Sequence, residues 1–317
     1  MESTKSNSRF IKIQQKAVNL VQEENFTEAA LLLEKAKEQF PGKLDRLGHW
    51  KAGIYMLQGN NDQAISEISE VLDQGLWWNP ELLTNDTELQ PLKEKEEFQK
   101  VLKLCKEKYE AEKKNAKASL QVVGNPQANT SIFALHWKGS NAKDFTEQWS
   151  ESGILSKYLL GFPQSSQLFS YECFSWDNQG VAEKDVTDTF NQFERKYDLA
   201  TKENIIAGAS QGGKTAIELS LKNNLERING FIAIVPSFEN TEEIEEILQL
   251  NCEINVRGCV ITGDKDPFYN MTLKTVAILR DNGVPCKLIV KKGMGHSLPD
   301  DLTNQLIEAV EYISEKQ

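Results

Sequence analysis

The hydrophobic pattern of the chain changes period once. In "AVNLVQEENFTEAALLLEKAKEQFP" and again in "AGIYMLQGNNDQAISEISEVLDQGL", apolar residues recur three and four positions apart between polar ones, the spacing of amphipathic helices. At an offset of 35 residues the second segment superimposes on the first, placing Ala17 on Ala52, Leu20 on Tyr55, Ala29 on Ala64, Leu33 on Ile68 and Ala36 on Val71. A third stretch, "WWNPELLTNDTELQPLKEKEEFQKVLKLCKEKYEAEKKNAK", keeps the helical spacing and then dissolves into charge. Stacked helical pairs need about three units to bury their faces, so residues 1–115 are expected to form a helical repeat domain. From Ala118 short apolar runs rich in β-branched residues alternate with amphipathic segments, which predicts an α/β domain over residues 116–317, a largely parallel sheet covered by helices. Its expected strands are "SLQVV", "SIFALHW", "LFSYE", "NIIAGA", "GFIAIV", "RGCVITG" and "CKLIV", with helices near 143–158, 183–197, 211–223, 241–250, 270–282 and 299–315.

The paired small residues of the first half resemble the tetratricopeptide repeat, and Pro41 stands where that repeat ends its second helix. The resemblance covers residues 10–75 and implies either a docking surface for a protein or peptide or a helical cap on the second domain. Composition narrows the partners. A net charge of -11 opposes a broad nucleic-acid footprint or adhesion to anionic lipid, both of which need a basic surface. The odd set Cys105, Cys173, Cys252, Cys259 and Cys286 forms no C-x-x-C pair, so neither a disulfide framework nor a zinc site is expected and no metal ligand set is assigned. Without a signal-like N-terminal run, or a stretch near the about twenty apolar residues of a membrane span, a cytoplasmic protein is expected. Export by a route without a signal stays open.

One stretch, "IIAGASQGGKT", carries two incompatible motifs. Gly208 to Thr215 fits the phosphate-loop pattern, with Lys214 as nucleotide ligand; Gly208 to Gly212 fits G-x-S-x-G, with Ser210 as nucleophile on a strand-to-helix turn. A phosphate loop ordinarily follows an early strand, whereas "NIIAGA" comes after other strands of its own domain, and it needs an acid for magnesium, for which Asp264 is the candidate. The nucleophile reading needs an acid after a later strand and a histidine after the next. "ITGDKDPF" and "KKGMGHSLP" supply them in order. Of the three histidines, His49 lies in the repeats and His136 ends an early strand, so only His296 follows the acid. His296 would take the proton of Ser210, and Asp266, with Asp264 as rival, would fix the imidazole tautomer. Lys214 is then expected to be an ordinary solvent-facing residue, and Thr215 to pack or bond back along its helix.

Oxyanion stabilisation calls for backbone donors. The amide of Gln211 is one, and the loop "ALHWKGSN" after an early strand is placed to give the other. These residues together resemble the α/β-hydrolase superfamily over residues 118–317, and within it the phospholipase/carboxylesterase and dienelactone hydrolase group. The resemblance favours Asp266 through the G-x-x-D loop, aligns "HWKG" with the H-G-x-G segment so that the amide of Lys138 is the second donor, and likens Trp176 and Asp177 to a tryptophan-aspartate pair of those small esterases. Trp137 departs from the family, which has glycine there, and is expected to line the acyl pocket or to mark a different local backbone. Trp176 is expected at the substrate or packed on the rim. The activity implied is cofactor-free hydrolysis of a modest acyl ester or thioester through an acyl-serine. An oligopeptidase-like peptidase and an interaction scaffold with an inactive hydrolase domain remain as alternatives.

Overall fold

The structure, a computed structural model, describes residues 2–315 apart from 224, 226, 252 and 253. Two compact units make up the chain: one runs to Ala116 and takes in Leu168–Glu172, and the other comprises Lys117–Gln167 and the chain from Cys173 onward.

The first unit is built from α1 (Glu2–Gln22), α2 (Phe26–Gln39), α3 (Leu44–Leu57), α4 (Asn61–Asp73), α5 (Pro80–Asn85) and α6 (Glu96–Lys113). The residues matched at the 35-residue offset point inward: Ala29 and Ala64, Leu33 and Ile68, and Ala36 and Val71 are all sealed from solvent. Small side chains at these positions let neighbouring helices approach closely, and the larger ones fill the space beside them. A polar link joins the layers, because Lys51 Nζ donates to Glu34 Oε2 at 2.5 Å and Glu67 Oε2 at 2.8 Å, and Lys37 also pairs with Glu67. Leu168 and Tyr171 pack into the same core, Tyr171 edge-on to Trp77.

After α6 the elements follow as β1 (Ser119–Gly124), β2 (Thr130–Leu135), α7 (Ala142–Trp149), α8 (Ser152–Lys157), β3 (Leu159–Gln164), β4 (Gln167–Ser170), β5 (Cys173–Ser175), α9 (Gln179–Tyr197), β6 (Glu203–Ala209), α10 (Gln211–Leu221), β7 (Ile228–Ile234), α11 (Glu242–Leu250), β8 (Arg257–Gly263), α12 (Tyr269–Asp281), β9 (Cys286–Lys291) and α13 (Leu302–Ser314). The main sheet has seven strands in the order β1-β3-β2-β6-β7-β8-β9. Only β1 runs antiparallel to its neighbour.

Alternation along the strands assigns each residue to a layer. Phe133, Leu135, Ile206, Phe231, Ala233 and Val260 face a core closed by α9, α10, α11 and α12. Their neighbours Ile132, Ala134, Ile205, Ala207, Ile232 and Ile261 face the opposite core, closed by α7, α8 and α13. Burial on both faces is why these strands read as continuous apolar runs. Leu135 lies opposite Gly208, Ala209 opposite Ile234, and Gly263 opposite Lys291, so the carboxyl ends of β2, β6, β7, β8 and β9 come out along one edge. Loops at such an edge are where α/β sheets gather ligand-facing groups.

Four expected elements change. "LFSYE" is not a strand of the main sheet; β4 and β5 form their own two-stranded hairpin, whose turn belongs to the first unit. The missing strand is "LLGFPQ", β3, in which Pro163 reads as a break. It is tolerated because β2 pairs only with Leu159 to Gly161, leaving Pro163 opposite Leu120 of β1 alone. The single helix expected over 143–158 is interrupted after Trp149, and α9 starts earlier than expected, at Gln179, where the Asn178 side chain accepts from the Val181 amide. No helix among the described residues is long and apolar enough to cross a membrane. Cys105, Cys173, Cys259 and Cys286 are buried, as small hydrophobes; Cys252 lies outside the described residues.

Candidate active site

Ser210 sits between β6 and α10 with φ 53 and ψ -119, a conformation that non-glycine residues rarely adopt and that costs on the order of 1–3 kcal/mol. Its backbone is held from both sides: the Ser210 amide donates to Ile234 O at 2.9 Å, and the Ser210 carbonyl accepts from the Lys214 amide at 3.0 Å and the Ser237 amide at 3.3 Å. The flanking glycines are required by space. A Cβ on Gly208 would stand 2.2 Å from Gly212 O, and one on Gly212 would stand 2.4 Å from Leu135 O. The turn is therefore wedged between β6 and the end of β2, which lifts the serine hydroxyl above the sheet edge.

Asp266 and His296 come to it from the loops after β8 and β9. His296 Nε2 lies 2.8 Å from Ser210 Oγ, and His296 Nδ1 lies 2.9 Å from Asp266 Oδ2. An ionised carboxylate only accepts, so this chain puts the proton on Nδ1 and leaves Nε2 to accept from the serine hydroxyl. Asp266 is buried and is further held by the Phe268 amide, which donates to its Oδ1 at 2.7 Å. The rival, Asp264, turns away: it is exposed and accepts from the Gly293 amide at 2.6 Å. The structure thus brings together Ser210, His296 and Asp266 and leaves Asp264 outside.

Around the turn a polar clamp connects the ends of β2 and β5 to α10. Trp176 Nε1 donates to His136 O at 2.8 Å, and the Trp176 amide donates to Gln211 Oε1 at 2.8 Å. Gln211 Nε2 and Lys138 Nζ both donate to Asp177 Oδ1, at 2.8 and 2.7 Å, while Ser175 Oγ donates to its Oδ2. Burial works against an ionised Asp177, but these three hydrogen bonds outweigh it and hold the carboxyl below its ordinary value. His136 is fully enclosed beside Trp176, and burial pushes its pKa down to about 4, so it serves as a neutral wedge under the β2 loop. Gln211 opens α10, where its amide has no acceptor within the helix. Lys138 lies inside the turn closed by the Ser140 amide donating to Trp137 O at 3.3 Å. Trp176 lines the cavity above Ser210, whereas Trp137 does not; its ring packs toward Phe145 in the core below.

That cavity, about 450 Å³ in volume, also takes in Lys214 and Phe268. Lys214 is not the solvent-facing residue expected of it. Its side chain is 27% exposed, pairs with Glu243, and stands 3.5 Å from Glu218 Oε1. Burial pushes the Glu218 carboxyl up to about 7 against the pull of Lys214. Thr215 behaves as expected, its hydroxyl donating to Gln211 O at 2.9 Å. The Lys214–Glu218 spacing of four along a helix was available in the sequence as an ion-pair signal, but Glu243 comes from α11 and only the fold supplies it. With both carboxylates holding Lys214, a triphosphate finds no free ammonium, and magnesium-ATP is expected to leave the thermal midpoint unchanged in a melting titration. A saturable rise that disappears in Lys214→Ala would restore the nucleotide reading.

Residues 9–113 match a family model described as the A/B hydrolase-like N-terminal domain. No curated protein matches the chain. Among solved structures, an uncharacterized protein from Bacillus cereus ATCC 10987 is 25% identical, with 97% of this chain and 99% of that one covered and a TM-score of 0.54. TT1662 from Thermus thermophilus is 16% identical over 64% of this chain and 96% of its own, with a TM-score of 0.50. Acyl-protein thioesterase 2 from Zea mays is 15% identical over 62% and 98% of the two chains, with a TM-score of 0.49. The second unit has the α/β-hydrolase fold, a mostly parallel sheet between helical layers. The Bacillus cereus protein matches this chain along almost its whole length, so both parts of the chain have counterparts there.

Proposed function

We propose that the protein is a serine hydrolase that cleaves a carboxylic ester or thioester through an acyl-serine intermediate. The observation that carries this reading is the hydrogen-bonded chain from Ser210 through His296 to Asp266, on a strained turn and beside a cavity. Ser210 Oγ attacks the carbonyl carbon as its proton passes to His296 Nε2, and Asp266 stabilises the imidazolium and its orientation. The oxygen of the tetrahedral intermediate accepts from the Gln211 amide, with Lys138 of the β2 loop as the second backbone donor. His296 returns the proton to the departing alkoxide or thiolate. Water then attacks the acyl-serine, giving its proton to His296, and the carboxylic acid leaves as Ser210 is reprotonated. Trp176 and Gln211 take positioning roles through the clamp, and Trp137 supports the β2 loop from beneath. A cavity of about 450 Å³ suits a modest acyl group.

An activated aryl ester, a thioester and a chromogenic peptide of similar acyl size, assayed side by side, test the bond class. The esters are expected to turn over with kcat/KM at least about a hundredfold above the peptide, whose amine leaves less readily. Cleavage of the peptide at a comparable rate would move the assignment to a peptidase.

A further inference from the structure

The walls of the cavity beside Ser210 hold more acid than base. Lys138 is taken by Asp177, and Lys214 makes its short contact with Glu243. Glu183 is paired with Lys222. Two carboxylates of the cavity then have less than a full ammonium each, Glu218 because it shares Lys214 with Glu243. The Glu218 side chain is 6% exposed, and its Oε1 accepts no hydrogen bond; the nearest ammonium, Lys214 Nζ at 3.5 Å, is drawn toward Glu243. Glu239 is exposed, lines the same cavity, and makes no ion pair among the described residues. A buried carboxylate oxygen without a hydrogen-bond donor is a costly arrangement, and in a native protein it calls for a functional or structural reason, of which a bound cation is one. Phe268 and Trp176 add aromatic surface to the same cavity, and aromatic faces attract alkylammonium groups.

From this we infer that the cavity selects an ester or thioester carrying a positive charge, an alkylammonium group in the acyl or the leaving portion, held by Glu218 and Glu239. The inference rests on the hydrolase reading for its chemistry but not for its binding. An anionic substrate is disfavoured because each lysine of the cavity would first have to leave its carboxylate. A neutral apolar substrate would leave Glu218 Oε1 with its share of Lys214 and no hydrogen-bond donor.

Two isosteric pairs test it: an aryl ester of an ω-trimethylammonio acid against the ester in which tert-butyl replaces the ammonium, and acetates of the corresponding two alcohols. At low ionic strength the cationic member of one pair is expected to have a kcat/KM at least about tenfold higher, a preference that added salt weakens. Glu239→Gln should lower the ratio several-fold, and Glu218→Gln should lower it further if it folds. Lys214→Met should raise the ratio, because it removes the cation that competes for Glu218 and Glu243. Ratios of one or less in both pairs, or no response to Glu239→Gln and Lys214→Met, would overturn the inference. Calorimetric titration of Ser210→Ala with the two alcohols makes the same comparison without turnover: tighter binding of the ammonium supports the proposal, and equal or weaker binding overturns it. Cation-selective binding in a protein that hydrolyses none of the esters would instead count against the hydrolase reading alone.

Discussion

Replacement of Ser210 by alanine is expected to reduce turnover of an activated ester by about four to six orders of magnitude, with His296→Ala close behind and the double variant within a few-fold of either. Non-additivity is the informative part. His296 Nε2 stands 2.8 Å from Ser210 Oγ, so the imidazole acts through this hydroxyl and has little else to do once the hydroxyl is gone. Steady-state kinetics on the three variants, with thermal unfolding to show that each keeps its fold, measure the effect. Full multiplication of the two losses would mean that serine and histidine work independently, contrary to the proposed mechanism.

The second large effect separates two aspartates of one loop. Asp266→Asn should cost about four orders of magnitude in kcat, because an amide in place of the buried Oδ2 can present a donor to Nδ1 and favour the wrong imidazole tautomer. Asp264→Asn should stay within a few-fold of the parent. Asp264 Oδ1 only accepts from the Gly293 amide at the surface, and asparagine keeps that acceptor. The pH profile of kcat/KM for both variants, alongside their rates, is the measurement; a severe loss in Asp264→Asn with a mild one in Asp266→Asn would transfer the acid to Asp264.

The strands of the sheet centre were legible because burial on both faces made them uninterrupted apolar runs, as in "IIAGA" and "FIAIV". Strand β3 was not. Gly161 and Pro163 look like loop residues, and only the limited pairing with β2 shows why the proline is harmless. The residues matched at the 35-residue offset were readable as buried helix faces, since small and large side chains repeat at equivalent positions.

For the site, the order of serine, acid and histidine along the chain could be read directly, because each follows its own strand and the sheet brings strand ends together. The choice of Asp266 over Asp264 depended on a loop resemblance; in the fold it follows from which carboxyl is buried against the imidazole. What the sequence could not disclose was long-range pairing. The side chain of Gln211 as a clamp to Trp176 and Asp177, the turning of Trp137 into the core, and the capture of Lys214 by Glu218 and Glu243 all depend on elements far apart in sequence. Val235 is another such feature. Its φ of 42 is unusual for a β-branched residue, and it lies at the end of β7 beside the serine turn, where its amide donates to Ile261 O at 2.7 Å.

The central claim is that Ser210 is a nucleophile activated by its neighbours, and the most direct measurement is reaction of the full chain with a fluorophosphonate probe followed by mass-spectrometric mapping of the adduct. One adduct is predicted, on the peptide containing Ser210, abolished in Ser210→Ala and strongly slowed in His296→Ala while both variants stay folded. A folded protein that gives no adduct, or one whose labelling survives in Ser210→Ala, would contradict the account.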